Sequence, residues 1–380
     1  MNDLVLNFMD PNYSIREVDS VAQDLDGLNV LVSEGAWKSV MKLAIKLMVG
    51  AKTSRDKLYY RFWIILAKIE MKQYDSAQSE FKDIGAFDDL KNNTVDSNGI
   101  YSSNVPEQLR LLYAILPFCL SKKDTKLDAL FTLLALLKDS YQDLVFDSQI
   151  LSLLNHSSIS PANMILYPEN HDKHKSIERL KILIANMLCS QGAYVQALDI
   201  LSKVLENHPN DIGLLSGTGR IFLQMGNNFL AEQIFNRVET ITKEKEDKGN
   251  EEWLNAMVEC NRAFLALGEG NFSNMLSGFQ KANSLAPKNA FIANNLSIGY
   301  IYNGNLKKAI KTLEDFLNEN PKGYHETTVQ NLCTLYDLAH LDSINKKKGL
   351  LKGAIQNLPD NFDLSVFKIS DLLDMKATKK

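Results

Sequence analysis

Four glycines, Gly192, Gly226, Gly270 and Gly304, divide this sequence at intervals of 34, 44 and 34 residues. Five residues beyond each glycine stands Ala197, Ala231, Met275 or Ala309, and nine beyond each stands Leu201, Phe235, Phe279 or Leu313. Seven before each glycine the residue is small (Ala185, Gly219, Ala263, Ser297). Four before it the residue is bulky in three units, Leu188, Phe222 and Tyr300, with Ala266 in the third. Pro209, Pro287 and Pro321 close three of the four units. Each column has a physical meaning in a chain of antiparallel helix pairs. The small residue lets helix A approach its own helix B. The glycine ends helix A, because a left-handed residue without a Cβ satisfies the last carbonyls at no steric cost. Bulk in the Ala/Met column would push the crossing helices apart, and proline stops helix B.

A period of 34 with these columns is the tetratricopeptide pattern. It predicts an all-α fold, a tetratricopeptide-type α-solenoid of about sixteen helices in antiparallel pairs, with no sheet and a right-handed superhelical course. The strict repeats cover 175–323. N-terminal helical repeats are expected over 1–84, where Gly35, Trp37 and Val40, then Tyr74, Ala77 and Phe81, follow a similar arrangement. Residues 85–105 are rich in Gly, Asn, Ser and Asp and read as a long loop. An irregular helical pair and loop occupies 106–174, with helices expected at 107–121 and 124–140 and a kink or early end at Pro117. A capping pair follows at 324–358, then a C-terminal tail at 359–380. The stretched 44-residue interval contains VETITKEKEDKGNEEW (238–253). Its alternating Lys and Glu predict a longer helix with a solvated face and a break at Gly249–Asn250.

Composition closes off several classes. With 45% hydrophobic and 23% charged residues, the chain can bury a sizeable core. A net charge of −4 argues against a dedicated nucleic-acid binder. No apolar run is long enough to span a bilayer, and MNDLVLNFMD lacks the basic start of a secretory signal. Cys119, Cys189, Cys260 and Cys333 are 70, 71 and 73 residues apart, which suits buried thiols in a cytosolic protein rather than a disulfide framework or zinc site.

Candidate chemistry is sparse. His171 and His174 resemble half a metal site, but no Cys or further His lies near, so no metal or cofactor is expected. SGTGR (216–220) has neither the preceding strand nor the Lys-Ser/Thr of a phosphate loop, and Gly217 and Gly219 fall on the close-packed face of a helix A. Lys346, Lys347, Lys348 and Lys352 form a basic helix face, read as a solvated cap surface before a lipid contact. No catalytic constellation is visible. Some tetratricopeptide co-chaperones grip a C-terminal carboxylate with Lys, Asn and Arg at fixed helix A positions. Those positions here hold Ile182, Asn186, Gly217, Met257 and Asn261 in one window, and Ser216, Arg220, Asn261, Phe291 and Asn295 in the next, with no lysine in either. Phe264, Leu267, Phe291 and Ile301 would instead line the helix A face of 178–302. They make a candidate partner-binding groove suited to an apolar helix or extended segment, unless neighbouring B helices cover them.

Beyond the columns, LLSGTGRIFLQMGNNFLAEQIFNRVE (214–239), NAFIANNLSIGYIYNGNLKKAIKTLEDF (289–316) and GYHETTVQNLCTLYDLA (323–339) resemble the trafficking protein particle (TRAPP) complex subunit 12 family. So do RFWIILAKIEMKQYDSAQSEFKDIGAFDDL (61–90) and VPEQLRLLYAIL (105–116), so the resemblance covers most of the chain. The long polar N-terminal extension of many members has no counterpart here. The resemblance implies a non-catalytic scaffold of the larger TRAPP III assembly, which acts in ER-to-Golgi transport and autophagy. It further implies that the chain helps join the large subunits 8 and 11, meets a Rab GTPase only indirectly, and reaches ER–Golgi membranes peripherally from the cytoplasm. No family site residue carries over. A free-standing tetratricopeptide adaptor for short peptides or chaperones is the alternative; a helical hydrolase or transferase would need a clustered site that the sequence does not display.

Overall fold

The structure, a computed structural model, describes residues 16–84, 94–95, 101–102, 107–120, 173–246, 252–321, 323–339 and 342–369. Among these are fifteen α-helices. Five lie in the first of two compact units, formed by 16–120 with 358–362. They are α1 (Leu25–Ser33), α2 (Trp37–Gly50), α3 (Ser54–Glu70), α4 (Tyr74–Ile84) and α5 (Glu107–Cys119). Ten lie in the second, formed by 173–357 with 363–369. They are α6 (Lys173–Ser190), α7 (Tyr194–Asn207), α8 (Ile212–Gln224), α9 (Asn228–Glu246), α10 (Glu252–Gly268), α11 (Phe272–Leu285), α12 (Ala290–Tyr302), α13 (Leu306–Glu319), α14 (Glu326–Ala339) and α15 (Ser343–Ala354). The all-α tetratricopeptide-type architecture is as the columns require. One departure from a sheet-free chain is a two-residue antiparallel ladder inside the expected long loop, Thr94 opposite Ser102 and Val95 opposite Tyr101, far too short to bury a face.

The glycine column is conformational. Gly35, Gly192, Gly226, Gly270 and Gly304 all have φ between 71° and 76°, and Lys72 takes the same place at 60°. At each of these six junctions two backbone bonds close the end of helix A. At Gly226, for example, the Gly226 N–H donates to the Leu223 carbonyl at 3.0 Å and the Asn227 N–H to Phe222 at 2.9 Å. This is the paired-bond helix end that needs a left-handed residue. The next residue then starts helix B: the side-chain carbonyls of Asn227, Asn271 and Asn305 each accept a backbone N–H three residues on, at 3.1 Å. One Gly-Asn dipeptide thus ends one helix and caps the next.

The other columns are packing constraints. Ala197, Ala231, Met275 and Ala309 are fully enclosed at the crossings. A Cβ on Gly219 would lie 2.3 Å from the Phe235 ring, and one on Gly278 would lie 2.9 Å from Ala263 Cβ, so close approach, not turn geometry, selects glycine there. At the last strict repeat the small Ser297 does more than fit, because its hydroxyl donates to the Ala309 carbonyl at 3.0 Å.

Other expectations need amendment. Pro117 does not end α5, which runs on to Cys119. The charged run lengthens α9 to 19 residues against 14 in α7, α11 and α13, as read; the break at Gly249–Asn250 and the helix at 124–140 lie outside the described residues. The start of the expected tail is packed, with Phe362, Leu364, Phe367 and Ile369 buried. In the first unit, Asp360 accepts the Lys38 N–H at 2.9 Å while its own N–H donates to Gly35 at 3.0 Å. A residue over 300 positions away thereby satisfies the start of α2.

Candidate partner-binding face

The residues expected to line a groove sit on the A helices of the second unit: Phe264 and Leu267 on α10, Phe291 and Ile301 on α12. All four are half-buried rather than open. Phe264, Leu267 and Phe291 rest on the core around Phe279, Met275 and Ile292, and Ile301 rests on that around Ala309 and Leu313. The Phe264 ring meets Phe279 edge-on at 5.2 Å and Phe291 at 5.8 Å. The expectation that they are exposed in the isolated chain is therefore corrected: each anchors its own core with one side and shows the other.

What occupies this face is Arg220, on α8. Its guanidinium carbon lies 5.2 Å from the centre of the Phe264 ring and 5.4 Å from that of Phe291, within the range of cation–π attraction. Nη2 donates to Asn261 Oδ1 at 3.3 Å, and the Asn261 amide donates to Ser216 Oγ at 2.8 Å. Nε is enclosed and makes no hydrogen bond. Among the described residues no carboxylate reaches Arg220. Burial lowers its pKa. The titratable group beside it is Cys260, whose thiol burial pushes up to about 11, so it is neutral and no counterion.

Arg262, on α10, is the contrast. Its Nη1 and Nη2 hold Glu259 and Glu239 at 2.6 Å each. Burial opposes the charge there too, yet the two carboxylates raise the pKa. Sequence reading placed Arg220 on the groove but gave no sign that its charge would be unmatched. Asn261, at one of the clamp positions in the sequence, is only 1% exposed and is the group that fixes Arg220.

More exposed apolar side chains lie elsewhere, along the edge where A helices turn into B helices: Val195, Met225, Phe229, Phe272 and Tyr302. Phe272 and Tyr302 stack at 4.8 Å. The reading from sequence missed this ridge because it follows the turns rather than a helix face; the signal available was a large apolar residue within three positions of each glycine.

The remaining candidates lose chemical character. Lys347 is buried, with Nζ 2.5 Å from Asp337, and Lys346 lies 3.5 Å from Glu314, so the four lysines do not form one basic face. SGTGR lies inside α8, with Gly219 filled over by Phe235. His171 lies outside the described residues, and among those described no group of three or more His, Cys, Asp or Glu could hold a metal. Burial raises the pKa of all four thiols, Cys333 to about 12, the reverse of an activated nucleophile. A cavity of about 610 Å³ between α13, α14 and α15 includes Glu314, Tyr336 and Lys346 in its lining, but the Tyr336 hydroxyl already donates to Glu314 at 2.8 Å. No described helix is long and apolar enough to cross a membrane.

No known family profile matches the chain. Among solved structures it is similar to a tetratricopeptide repeat protein from Parabacteroides merdae (14% identity, TM-score 0.42, 81% of this chain and 99% of that one). It is also similar to a thermophilic tetratricopeptide protein from Thermus thermophilus (20%, 0.34, 52% and 99%). Among curated proteins, trafficking protein particle complex subunit 12 of Mus musculus and of Homo sapiens are each 28% identical over 395 aligned positions, covering 97% of this chain and 48% and 52% of theirs. The chain spans about half the length of these relatives. Over nearly its whole length, then, this chain of stacked helical hairpins is similar to subunit 12 of the trafficking protein particle complex.

Proposed function

We propose that the chain is a non-catalytic scaffold subunit of a TRAPP-type tethering complex. The observation that carries this reading is the similarity to subunit 12 along 97% of the chain. The physical character of the molecule is consistent with it. Within each unit the stacked hairpins contact mainly their neighbours and so present broad surfaces, and the thiols are held un-ionised. In finer terms the proposed role is that of joining the large subunits 8 and 11 of the TRAPP III assembly, whose core exchanges nucleotide on a Rab GTPase during ER-to-Golgi transport and autophagy. The chain would reach those membranes peripherally, through the complex. Alone it would neither hydrolyse nor exchange nucleotide, and it would hold no stoichiometric zinc.

The contact surface proposed for the large partners is the turn-edge ridge. Phe229 is 67% and Tyr302 52% exposed, and Tyr302 stacks on Phe272; exposed apolar side chains that gather in one patch mark partner contacts. A tagged chain purified from cells should bring TRAPP subunits in stoichiometric amounts by mass spectrometry. Phe229→Glu with Tyr302→Glu should remove them while the helical circular dichroism signal is kept. Recovery of chaperones or short-peptide partners without any TRAPP subunit would favour the free-standing adaptor instead.

A further inference from the structure

Beyond the scaffold reading, and independent of which complex holds the chain, lies the unmatched charge at Arg220. A guanidinium taken partly out of water is ordinarily paired with a carboxylate, as Arg262 is with two. Arg220 has two aromatic rings and one amide oxygen. The rings and the amide hold the group in one orientation, and among the described residues no carboxylate cancels its charge; Nε is enclosed, so an incoming group would meet the Nη end of the fork. Such a group is pre-organised for an anion that arrives from outside, at little further entropic cost. We infer that the face formed by Arg220, Asn261, Phe264 and Phe291 docks an extended segment of a partner polypeptide through an Asp or Glu side chain, with an adjacent apolar side chain on the exposed sides of the two rings.

Three features select this occupant. The planar guanidinium matches a carboxylate in two-point geometry. One cation, with no lysine at the other clamp positions, suits a single side-chain carboxylate within a continuous strand better than the end of a chain. One turn beyond Phe291, Asn295 donates its amide to the Phe291 carbonyl at 2.7 Å and keeps its own oxygen open. That oxygen can accept a backbone N–H, which an extended segment offers and a helix does not.

The test is a random-peptide display selection on the intact chain, followed by anisotropy titration of the enriched peptides in C-terminally amidated form. Enrichment of Asp or Glu beside an apolar residue is expected. Changing that acid to its amide, or changing Arg220→Gln in the protein, should weaken binding about tenfold or more. A second variant guards against misfolding. Asn261→Asp places a carboxylate where the amide oxygen now lies, 3.3 Å from Nη2, and neutralises Arg220 from within. It should melt no lower than the parent and lose the acidic peptides to the same degree. Enriched peptides that lack acids, or that bind both variants undiminished, would overturn the inference. So would binding only when the peptide carries a free C-terminal carboxylate. Loss of TRAPP subunits in the Phe229/Tyr302 variant is a separate readout, so either idea can fail alone.

Discussion

Replacing Glu178 by Gln should make the second unit more stable at pH 8 and leave it nearly unchanged at pH 4. Glu178, in α6, is 1% exposed. One oxygen accepts the Asn207 amide at 3.1 Å; the other is 3.7 Å from His208 Nε2 and makes no hydrogen bond. Burial raises its pKa from 4.5 to about 7, against smaller opposing effects of Asn207 and Lys181. Burial also lowers the pKa of His208, so the imidazole is neutral at pH 7 and above and offers no compensating charge. A carboxyl whose pKa is raised by folding contributes stability that is complete below the unfolded value near 4.5 and is lost as pH climbs through 7. At about 1.36 kcal/mol per unit, the loss is on the order of 3 kcal/mol. Gln imitates the protonated carboxyl, keeps an oxygen for Asn207 and does not titrate. Urea midpoints of parent and variant should therefore coincide near pH 4 and diverge by roughly that amount at pH 8. Amide exchange in α6 and α7 should slow in the variant only at the higher pH. Parallel midpoints across the range, or a gap that widens toward acid, would show that Glu178 is ionised in the folded chain and refute the reasoning.

The two glycine roles separate by substitution. Gly226→Ala meets nothing within 4 Å, so its cost should be the left-handed backbone alone, about 1–2 kcal/mol by denaturant midpoint. Gly219→Ala has ordinary helical geometry but a ring 2.3 Å away, and should cost about 1–3 kcal/mol by overpacking; Phe235→Leu should recover part of that loss. Lys72→Gly should stabilise the chain by up to about 1 kcal/mol, read as a higher thermal midpoint, since Lys72 holds the left-handed place that glycine takes at the other five junctions. Ala309→Leu, at a fully enclosed crossing, should lose about 1–3 kcal/mol, and an unchanged midpoint would count against the helix register.

The fold was legible wherever one residue type answers one geometric demand. A left-handed helix end asks for glycine and a tight crossing asks for alanine, so both recur at fixed spacing and can be read without coordinates. Lys72 shows the limit of that reading. The junction it forms has the same backbone bonds as the others, so the geometry tolerates a penalty that the sequence pattern cannot anticipate. Pro117 is the converse, a helix breaker retained inside α5. The place of Asp360 at the start of α2 was not legible at all. It depends on two backbone partners more than 300 residues away, and an Asp in a terminal segment carries no local mark of such a contact.

The candidate face was legible in position but not in charge. The helix A columns place Ser216, Arg220, Asn261 and Phe291 on one surface, and the structure brings the first three into a single hydrogen-bonded row with both rings beside it. Whether an arginine is already neutralised, however, depends on which carboxylates lie within about 4 Å across helices, and no periodicity encodes that. Arg220 and Arg262 are 42 positions apart on two A helices, and both look like ordinary surface arginines in the sequence. Glu239 reaches Arg262 from α9 and Glu259 reaches it from its own helix, while no described acid reaches Arg220. Because Asn261 rather than an acid faces Arg220, the guanidinium is oriented without being satisfied. A purely structural arginine would gain from an Asp at that place, since an enclosed charge is cheapest when paired. An amide there suits an arginine whose counter-charge arrives on another chain.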